Sequence, residues 1–219
     1  MRLVRTIYGW IDERFAVTPL LEKNVTRKMV PRTLSWAACF GGLSFLTFLV
    51  QVFTGILLLM YYKPHPEAAW DSVTFIKSNV TMGWLVQRIH AVAANLMIVL
   101  VLMHMARIAY YKIYRKPREL HWISGVFLAL FTTIMAFTGY LLPWTQLSYW
   151  GAKVGTEIPS AVPVIGEGIV QWVRRGNAIS GETLGFFFSL HIWVLPSVMV
   201  GFLAMHFAMI RRTGISKPL

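Results

Sequence analysis

The sequence predicts an all-α membrane protein whose core is a bundle of four transmembrane helices. Hydrophobic residues make up 56% of the 219 residues and charged residues only 14%, against about a quarter charged in soluble domains. The apolar residues form four long runs, and a helix needs about 20 such residues to cross a bilayer. Trp and Tyr lie near the ends of these runs, where aromatic rings favour the membrane interface.

The elements follow in order along the chain. The N-terminal segment, residues 1–32, is interrupted by Asp12, Glu13 and Arg14, so it is expected to lie on the membrane surface as a helix and not to act as a secretory signal. A four-helix transmembrane domain is predicted at 33–211, followed by a tail at 212–219. Its four spans, named A to D, are predicted at 33–62, 83–111, 120–144 and 183–211.

The connection between spans C and D is about forty residues long and is expected to carry structure of its own. Two amphipathic stretches, near residues 149–156 and 165–174, are typical of short surface helices. No sequence motif of a nucleotide-binding loop, a serine hydrolase or a zinc protease is present. The single cysteine, Cys39, excludes an intramolecular disulfide and a cysteine-rich metal cluster built by this chain.

The distribution of charge predicts the topology. The N-terminal segment, the B–C loop and the C-terminal residues from Arg211 onward carry net charges of +4, +3 and +3, whereas the A–B and C–D connections are neutral. By the positive-inside rule, both termini and the B–C loop lie on the cytoplasmic, electrically negative side. The long charge-free runs argue against the nucleic-acid binding that a total charge of +12 could suggest.

Four histidines recur at nearly equal intervals in two of the spans. His90 and His104 are fourteen residues apart in span B, and His191 and His206 are fifteen apart in span D. Each pair stays broadly on one helix face, with its members about 21 Å apart along the axis. Spans B and D cross the membrane in the same direction, so His90 matches His191 in depth and His104 matches His206.

Two facing imidazoles at one depth are what a bis-histidine haem requires. Glycine has no Cβ and lets a flat macrocycle approach the helix backbone. Alternatively, the histidines are isolated polar residues and the glycines are helix-packing positions, but the shared interval favours two haems. The glycines that repeat the interval are Gly41 and Gly55 in span A, and Gly125 and Gly139 in span C.

Several stretches of sequence resemble the cytochrome b family, and specifically its short, cytochrome b6-like form in split quinol oxidoreductases. They include I-Y-G-W-I-D-E-R at 7–14, T-G-Y-L-L-P-W at 138–144 and H-F-A-M-I-R-R-T-G-I-S at 206–216. The resemblance implies that His90 and His191 ligate the iron of a low-potential haem b near the positive side. It implies that His104 and His206 ligate the iron of a high-potential haem b near the negative side.

The resemblance also implies the activity and the partners. The expected activity is that of a subunit of a quinol–cytochrome c or plastocyanin reductase, which moves electrons between a quinol oxidation site and a quinone reduction site and is coupled to proton translocation. The family's P-E-W-Y element is absent, so a subunit-IV-like chain is expected to complete a dimeric complex with a Rieske iron–sulfur protein and a c-type cytochrome. The expected location is a bacterial cytoplasmic membrane or a thylakoid.

Further residues gain candidate roles from the resemblance. Tyr140, Pro143 and Trp144 are expected at the quinol oxidation pocket, the alternative for such aromatics being interfacial anchoring. Arg211 matches an arginine near the quinone reduction site, although it could equally be a charge that sets the topology.

Cys39 precedes Gly41 by two residues and so lies at the depth of the negative-side haem. The matching cysteine of cytochrome b6 forms a thioether to an additional c-type haem, which is therefore expected here. A small packing residue and a reactive thiol are the alternatives. Arg88 and Arg107 are candidates to balance haem propionates, and Arg107 could instead extend to the membrane interface.

Two other functions fit parts of the sequence. A di-haem membrane anchor would pass electrons from quinol to a different redox module. A proton-conducting transporter would use the intramembrane histidines as a relay, but it gives the glycines no reason to share the histidine interval.

Overall fold

The computed structural model describes residues 2–15, 18, 22 and 36–214, which fall into two units that are treated separately. In the first unit, residues Arg2–Phe15 form a helix on which the exposed side chains of Val4, Ile7 and Trp10 recur at helical spacing. The predicted helix is present, and its location on a membrane surface stays a prediction. The remaining residues of the predicted N-terminal segment, and residues 215–219 of the tail, lie outside the described residues.

The second unit, Trp36–Gly214, contains four helices that are long and apolar enough to span a membrane. The prediction of an all-α bundle with four spans is confirmed, and all regular structure in the described residues is helical. The spans are Trp36–Leu59 (A), Gly83–Tyr110 (B), Glu119–Leu141 (C) and Gly181–Thr213 (D). Span A opens with a 3-10 turn, Trp36–Cys39, before the α-helix Phe40–Leu59.

Spans alternate in direction, so the bundle has two ends that can be named by the glycines of span A. The Gly41 end holds the start of spans A and C, the end of spans B and D, and the B–C loop. The Gly55 end holds the other four helix ends and the two longer connections. The Arg118 guanidinium donates to the Thr213 carbonyl over 3.3 Å at the Gly41 end, joining the start of span C to the end of span D.

The core of the bundle is a thin apolar layer around Phe48, Met97 and Met199, which are nearly inaccessible. Each of these residues lies midway along its span, between the two glycines or the two histidines of that span. The layer therefore separates the two levels at which the histidines lie. The side chains that complete it are Phe45, Val101, Phe131, Met135 and Leu203.

The A–B connection contains a helix, Ala69–Asn79, that the sequence analysis did not predict. Its buried residues include Ala69, Val73 and Ile76, at the spacing of one helix face, and this pattern could have indicated it. The helix packs closely on the start of span B, because a Cβ at Gly83 would lie 2.0 Å from the Ile76 carbonyl oxygen.

The C–D connection forms two short helices, Gln146–Glu157 and Gly166–Arg174, as predicted, with a 3-10 turn at Ile158–Ala161 between them. Thr145 caps the first helix by accepting the Ser148 N–H at 3.0 Å. Arg174 is buried and donates to the Thr156 hydroxyl at 2.8 Å and to the Glu157 carboxylate at 2.5 Å. Thr183 of span D donates to the Arg174 carbonyl at 2.6 Å. These bonds fasten both loop helices to the start of span D.

Candidate functional site

The site begins with a one-to-one pairing of the four histidines with the four glycines. Each imidazole lies against the position that a glycine Cβ would occupy, so spans A and C give room to the rings carried by spans B and D. The distances from that position to the ring Cε1 are 2.9 Å for Gly41 and His104, 3.4 Å for Gly55 and His90, 3.7 Å for Gly125 and His206, and 2.6 Å for Gly139 and His191.

A hydroxyl precedes three of these glycines and contacts the same histidine. Thr54, Ser124 and Thr138 lie directly before Gly55, Gly125 and Gly139 in the sequence. Their hydroxyl oxygens lie 2.8 Å from His90 Nδ1, 2.7 Å from His206 Nδ1 and 3.0 Å from His191 Nδ1, respectively. These hydroxyls were not predicted from the sequence, although the repeated order of hydroxyl residue and glycine is visible in it.

These hydroxyls can fix the tautomer of the rings. Each lies within hydrogen-bond distance of a carbonyl of its own helix, as Thr54 does at 2.6 Å from the Val50 oxygen. A hydroxyl that donates its single hydrogen to that carbonyl accepts the Nδ1–H of the histidine. The ring then keeps a lone pair on Nε2, which is the arrangement of a metal-ligating histidine whose second nitrogen is oriented by a partner.

His104 breaks this pattern. The residue before Gly41 is Phe40, which has no hydroxyl, and His104 Nδ1 is buried without a hydrogen-bond partner among the described residues. The two levels of histidines are therefore chemically different. At the Gly55 end both rings have a hydroxyl partner, and at the Gly41 end only His206 has one.

The two rings at the Gly55 end lie at a separation that suits a shared metal. The ring centres of His90 and His191 lie 6.4 Å apart, with their planes at 74°. A metal bound to one nitrogen of each of two imidazoles sets the ring centres about 6 Å apart. The geometry at this level fits a bis-histidine haem iron.

Span D contains a π turn, Leu190–Val194, in which the Leu195 N–H donates to the Leu190 carbonyl. A π turn takes up one more residue than an α turn. Pro196 follows it and has no N–H for the Ile192 carbonyl, which favours such an irregularity. The extra residue accounts for the fifteen-residue interval from His191 to His206, against fourteen in span B, while both pairs keep one helix face.

A further histidine, His121, lies at the Gly41 end and was not singled out from the sequence. Its ring centre lies 6.4 Å from that of His206, and its Nε2 lies 3.1 Å from the Thr213 hydroxyl. Its Nδ1 is buried without a partner among the described residues. The signal that could have found it is its position four residues before Gly125, which is one helical turn on the same face.

Comparison with known proteins decides the family. The sequence profile described as "Cytochrome b/b6/petB" matches residues 25–214. The chain belongs to this family. Cytochrome b6 of Heliobacterium mobile is 44% identical over 212 residues, which are 96% of this chain and 100% of the relative. Cytochrome b6 of Synechococcus sp. (strain JA-3-3Ab) is 42% identical over 213 residues, 97% of this chain and 99% of the relative.

A solved structure shares the fold. A chain of "Hyperthermophilic respiratory Complex III" superposes with a TM-score of 0.90 and 37% identity. The match covers 96% of this chain and 56% of that chain, so this chain spans little more than half of it. The predictions of a cytochrome b fold and of a short, cytochrome b6-like chain are confirmed. Membership of the cytochrome b family implies b-type haem as the cofactor and an integral membrane location.

Other predicted residues of this cytochrome b lie around the Gly41 end. Cys39 ends the 3-10 turn of span A and is exposed. Arg107 follows His104 by one turn, and its guanidinium carbon lies 5.7 Å from the centre of the Tyr111 ring. Its Nε and Nη2 are buried without partners among the described residues. Arg211 is exposed in the last turn of span D.

Arg88 lies apart from the residues it was expected to serve. It is exposed and precedes His90 by two residues, so it lies about 200° around the helix from that histidine. The described geometry does not bring it towards the His90 and His191 rings. Its role at a propionate stays a prediction.

The expected quinol oxidation residues come together at the Gly55 end. The Tyr140 ring packs on Gly151, where a Cβ would lie 3.1 Å from the ring. Trp144 lies edge-on to Tyr149 at 6.1 Å, and its φ of 51° is unusual for an aromatic residue. Pro143 lies in the short turn between span C and the first C–D helix. Their role at a quinol stays a prediction.

A half-buried tyrosine links two elements at this end of the bundle. The Tyr62 hydroxyl donates to the Leu142 carbonyl over 2.6 Å, joining the A–B connection to the end of span C. Burial raises the pKa of Tyr62 well above its usual value, so the phenol stays protonated and keeps this hydrogen bond.

Proposed function

We propose that this chain carries electrons across a membrane through two b haems, one at each level of histidines. His90 and His191 would ligate the iron at the Gly55 end, and His104 and His206 the iron at the Gly41 end. The observation that carries the proposal is the pairing of all four histidines with glycines at two levels, with the His90 and His191 ring centres 6.4 Å apart.

The protein's own side chains prepare these sites. Thr54, Thr138 and Ser124 orient three of the rings through Nδ1, which leaves Nε2 for iron. The bound haems supply reversible one-electron chemistry, and the helices set their ligation and their surroundings. The apolar layer around Phe48 and Met97 keeps water out between the two levels.

The chain would act in a larger quinol–cytochrome c or plastocyanin reductase. Its partners would be a subunit-IV-like chain, a Rieske iron–sulfur protein and a c-type cytochrome or equivalent acceptor. We place the Gly55 end on the positive side, because the connections at that end are neutral and the B–C loop at the other end is basic. Quinol would then be oxidised near Tyr140 and Trp144, and quinone reduced near Arg211.

The test is a haem spectrum of the purified chain. Wild-type protein should give two extractable b haems, and His104→Ala should remove the one at the Gly41 end while the other remains. His65→Ala, at an exposed position in the A–B connection, is the matched control and should keep both. An unchanged haem count in His104→Ala would refute the proposed ligation.

An additional haem attached to Cys39 is part of the proposal. The support is position: Cys39 is exposed and lies two residues before Gly41, which packs on His104. After acid–acetone extraction, a haem-stained denaturing gel should show haem retained on the chain. Cys39→Ala should abolish that stain and keep both b haems, whereas a stain that persists would exclude the thioether.

A further inference from the structure

The side-chain atoms that are buried without a hydrogen-bond partner cluster at one end of the bundle. Among the described residues they are His104 Nδ1, Arg107 Nε and Nη2, and His121 Nδ1, and all lie at the Gly41 end. A buried polar atom left unpaired lowers stability, and a charged group does so more strongly. Several such atoms in one place indicate a bound group that supplies acceptors.

The position of these atoms restricts what that group can be. Arg107 lies three residues after His104, and His121 lies three before Ser124, the partner of His206. Both are therefore about one helical turn farther from the apolar layer than the histidine level. An unpaired charge in an apolar layer is costly, so the carboxylates of a haem held at this level would extend away from that layer. They would meet Arg107 and His121.

The contacts of His121 leave one nitrogen for such a carboxylate. The Thr213 hydroxyl lies 3.1 Å from Nε2 and 3.2 Å from the Met209 carbonyl, so it can turn its hydrogen to either. When it donates to Nε2, the ring carries its proton on Nδ1. We infer that His121 donates this Nδ1–H to a propionate of the haem at the Gly41 end and, together with Arg107, holds its acidic edge. The inference rests on the proposed haem function.

Two substitutions at His121 separate the two ring nitrogens. His121→Asn places an amide N–H near the position of Nδ1 and loses the reach to Thr213. His121→Gln places its amide near the position of Nε2 and loses the donor at Nδ1. A donor to the propionate stabilises the reduced haem, because it offsets the negative charge near the iron.

Redox titration of the b haems in the purified complex is the measurement. His121→Gln should lower the reduced-to-oxidised ratio of the Gly41-end haem at fixed potential by about three- to tenfold, a tenfold change being about 59 mV for one electron. His121→Asn should stay near wild type. The haem of His90 and His191 serves as an internal reference.

Infrared redox difference spectra identify the acceptor. In complex carrying haem labelled with ¹³C at the propionate carboxyls, a labelled band should shift in His121→Gln and not in His121→Asn. The same spectrum of the unsubstituted complex is a test that needs no variant. If its labelled band lies at the position of a free carboxylate, the inference is overturned. A potential that shifts in His121→Asn, but not in His121→Gln, would overturn the inference and show a structural role only.

Loss of the haem function and loss of the His121 contact give different results. If the purified chain holds no b haem, the proposed function fails. If both haems are present and His121→Gln matches wild type in potential and in the labelled bands, only the role of His121 is refuted.

Discussion

Gly139 and His191 approach each other so closely that a Cβ on the glycine would lie 2.6 Å from the ring Cε1. At that distance something must shift, and the ring is fixed through Nδ1 by the Thr138 hydroxyl, one residue away. Gly125 offers a contrast in the same span, since a Cβ there would lie 3.7 Å from His206 Cε1, an ordinary contact.

Gly139→Ala should therefore displace His191, at a cost of about 1–3 kcal/mol for overpacking. We expect loss or low-spin to high-spin conversion of the haem at the Gly55 end, measured by optical and EPR spectra. Gly125→Ala is the matched variant and should keep both haems. Equal spectra for the two variants would contradict the pairing of glycines with histidine rings.

The hydroxyl partners of the histidines give a second prediction. Thr138→Val removes the hydroxyl beside His191 Nδ1 and keeps the shape of the side chain. Loss of such an orienting bond typically costs 10–100-fold in metal affinity or activity, so we expect about that range for retention of the haem, measured as its rate of loss to apomyoglobin.

Thr132→Val is the control for that measurement. Thr132 is also buried in span C, but its hydroxyl donates only to the Leu128 carbonyl of its own helix. Its substitution should leave haem loss unchanged. If Thr132→Val accelerates haem loss as much as Thr138→Val, the hydroxyl does not act through His191.

Because the π turn contains one additional residue, deleting a residue from it should preserve haem binding. Removing Trp193, an exposed residue of the turn, should convert it to an α turn and shorten the interval from His191 to His206 to the fourteen residues found in span B. Both histidines should keep their face, and both b haems should remain by spectroscopy.

Val200 is the matched deletion, because it is exposed in the regular α-helical part of span D. Its loss should turn one histidine about 100° relative to the other and remove one haem. Retention of both haems after deletion of Val200, or loss of one after deletion of Trp193, would count against a compensating role for the π turn.

The hydrogen bonds of Arg174 are expected to stabilise the C–D connection. Arg174→Leu removes the bonds to Thr156 and Glu157, and we expect a loss of about 2–3 kcal/mol of local stability. The bond to Glu157 contributes the smaller part of this loss, because its carboxylate is half exposed. The measurement is the rate of proteolysis between residues 146 and 175. Arg175→Leu, at the exposed neighbouring position, should leave that rate near wild type.

Much of the bundle could be predicted from the sequence, because span length and interval are direct consequences of helix geometry. The depth matching of His90 with His191 followed from topology, and the structure places their ring centres 6.4 Å apart. Other features depend on contacts between elements that are distant in the sequence. The pairing of His121 with Thr213 joins residues 92 positions apart, and no local pattern reports it.

Two misses had local signals that were too short to stand out. The helix Ala69–Asn79 has only three turns, so few apolar residues repeat at helical spacing. The π turn has no sequence code of its own, although Pro196 and the additional residue in span D together point to it. The missing hydroxyl at Phe40 became meaningful only when the structure set it beside His104 Nδ1.

The apolar layer of Phe48, Met97 and Met199 has an electrical consequence. Histidines fourteen residues apart in one helix are separated by about 21 Å along its axis, which is about two-thirds of a hydrocarbon thickness of about 30 Å. Each electron that passes between the two levels would therefore move through about two-thirds of the membrane voltage. A full crossing at 100 mV costs about 2.3 kcal/mol, so moving an electron from the Gly55 end to the Gly41 end would cost roughly 1.5 kcal/mol. A membrane potential would therefore directly oppose electron transfer through this chain.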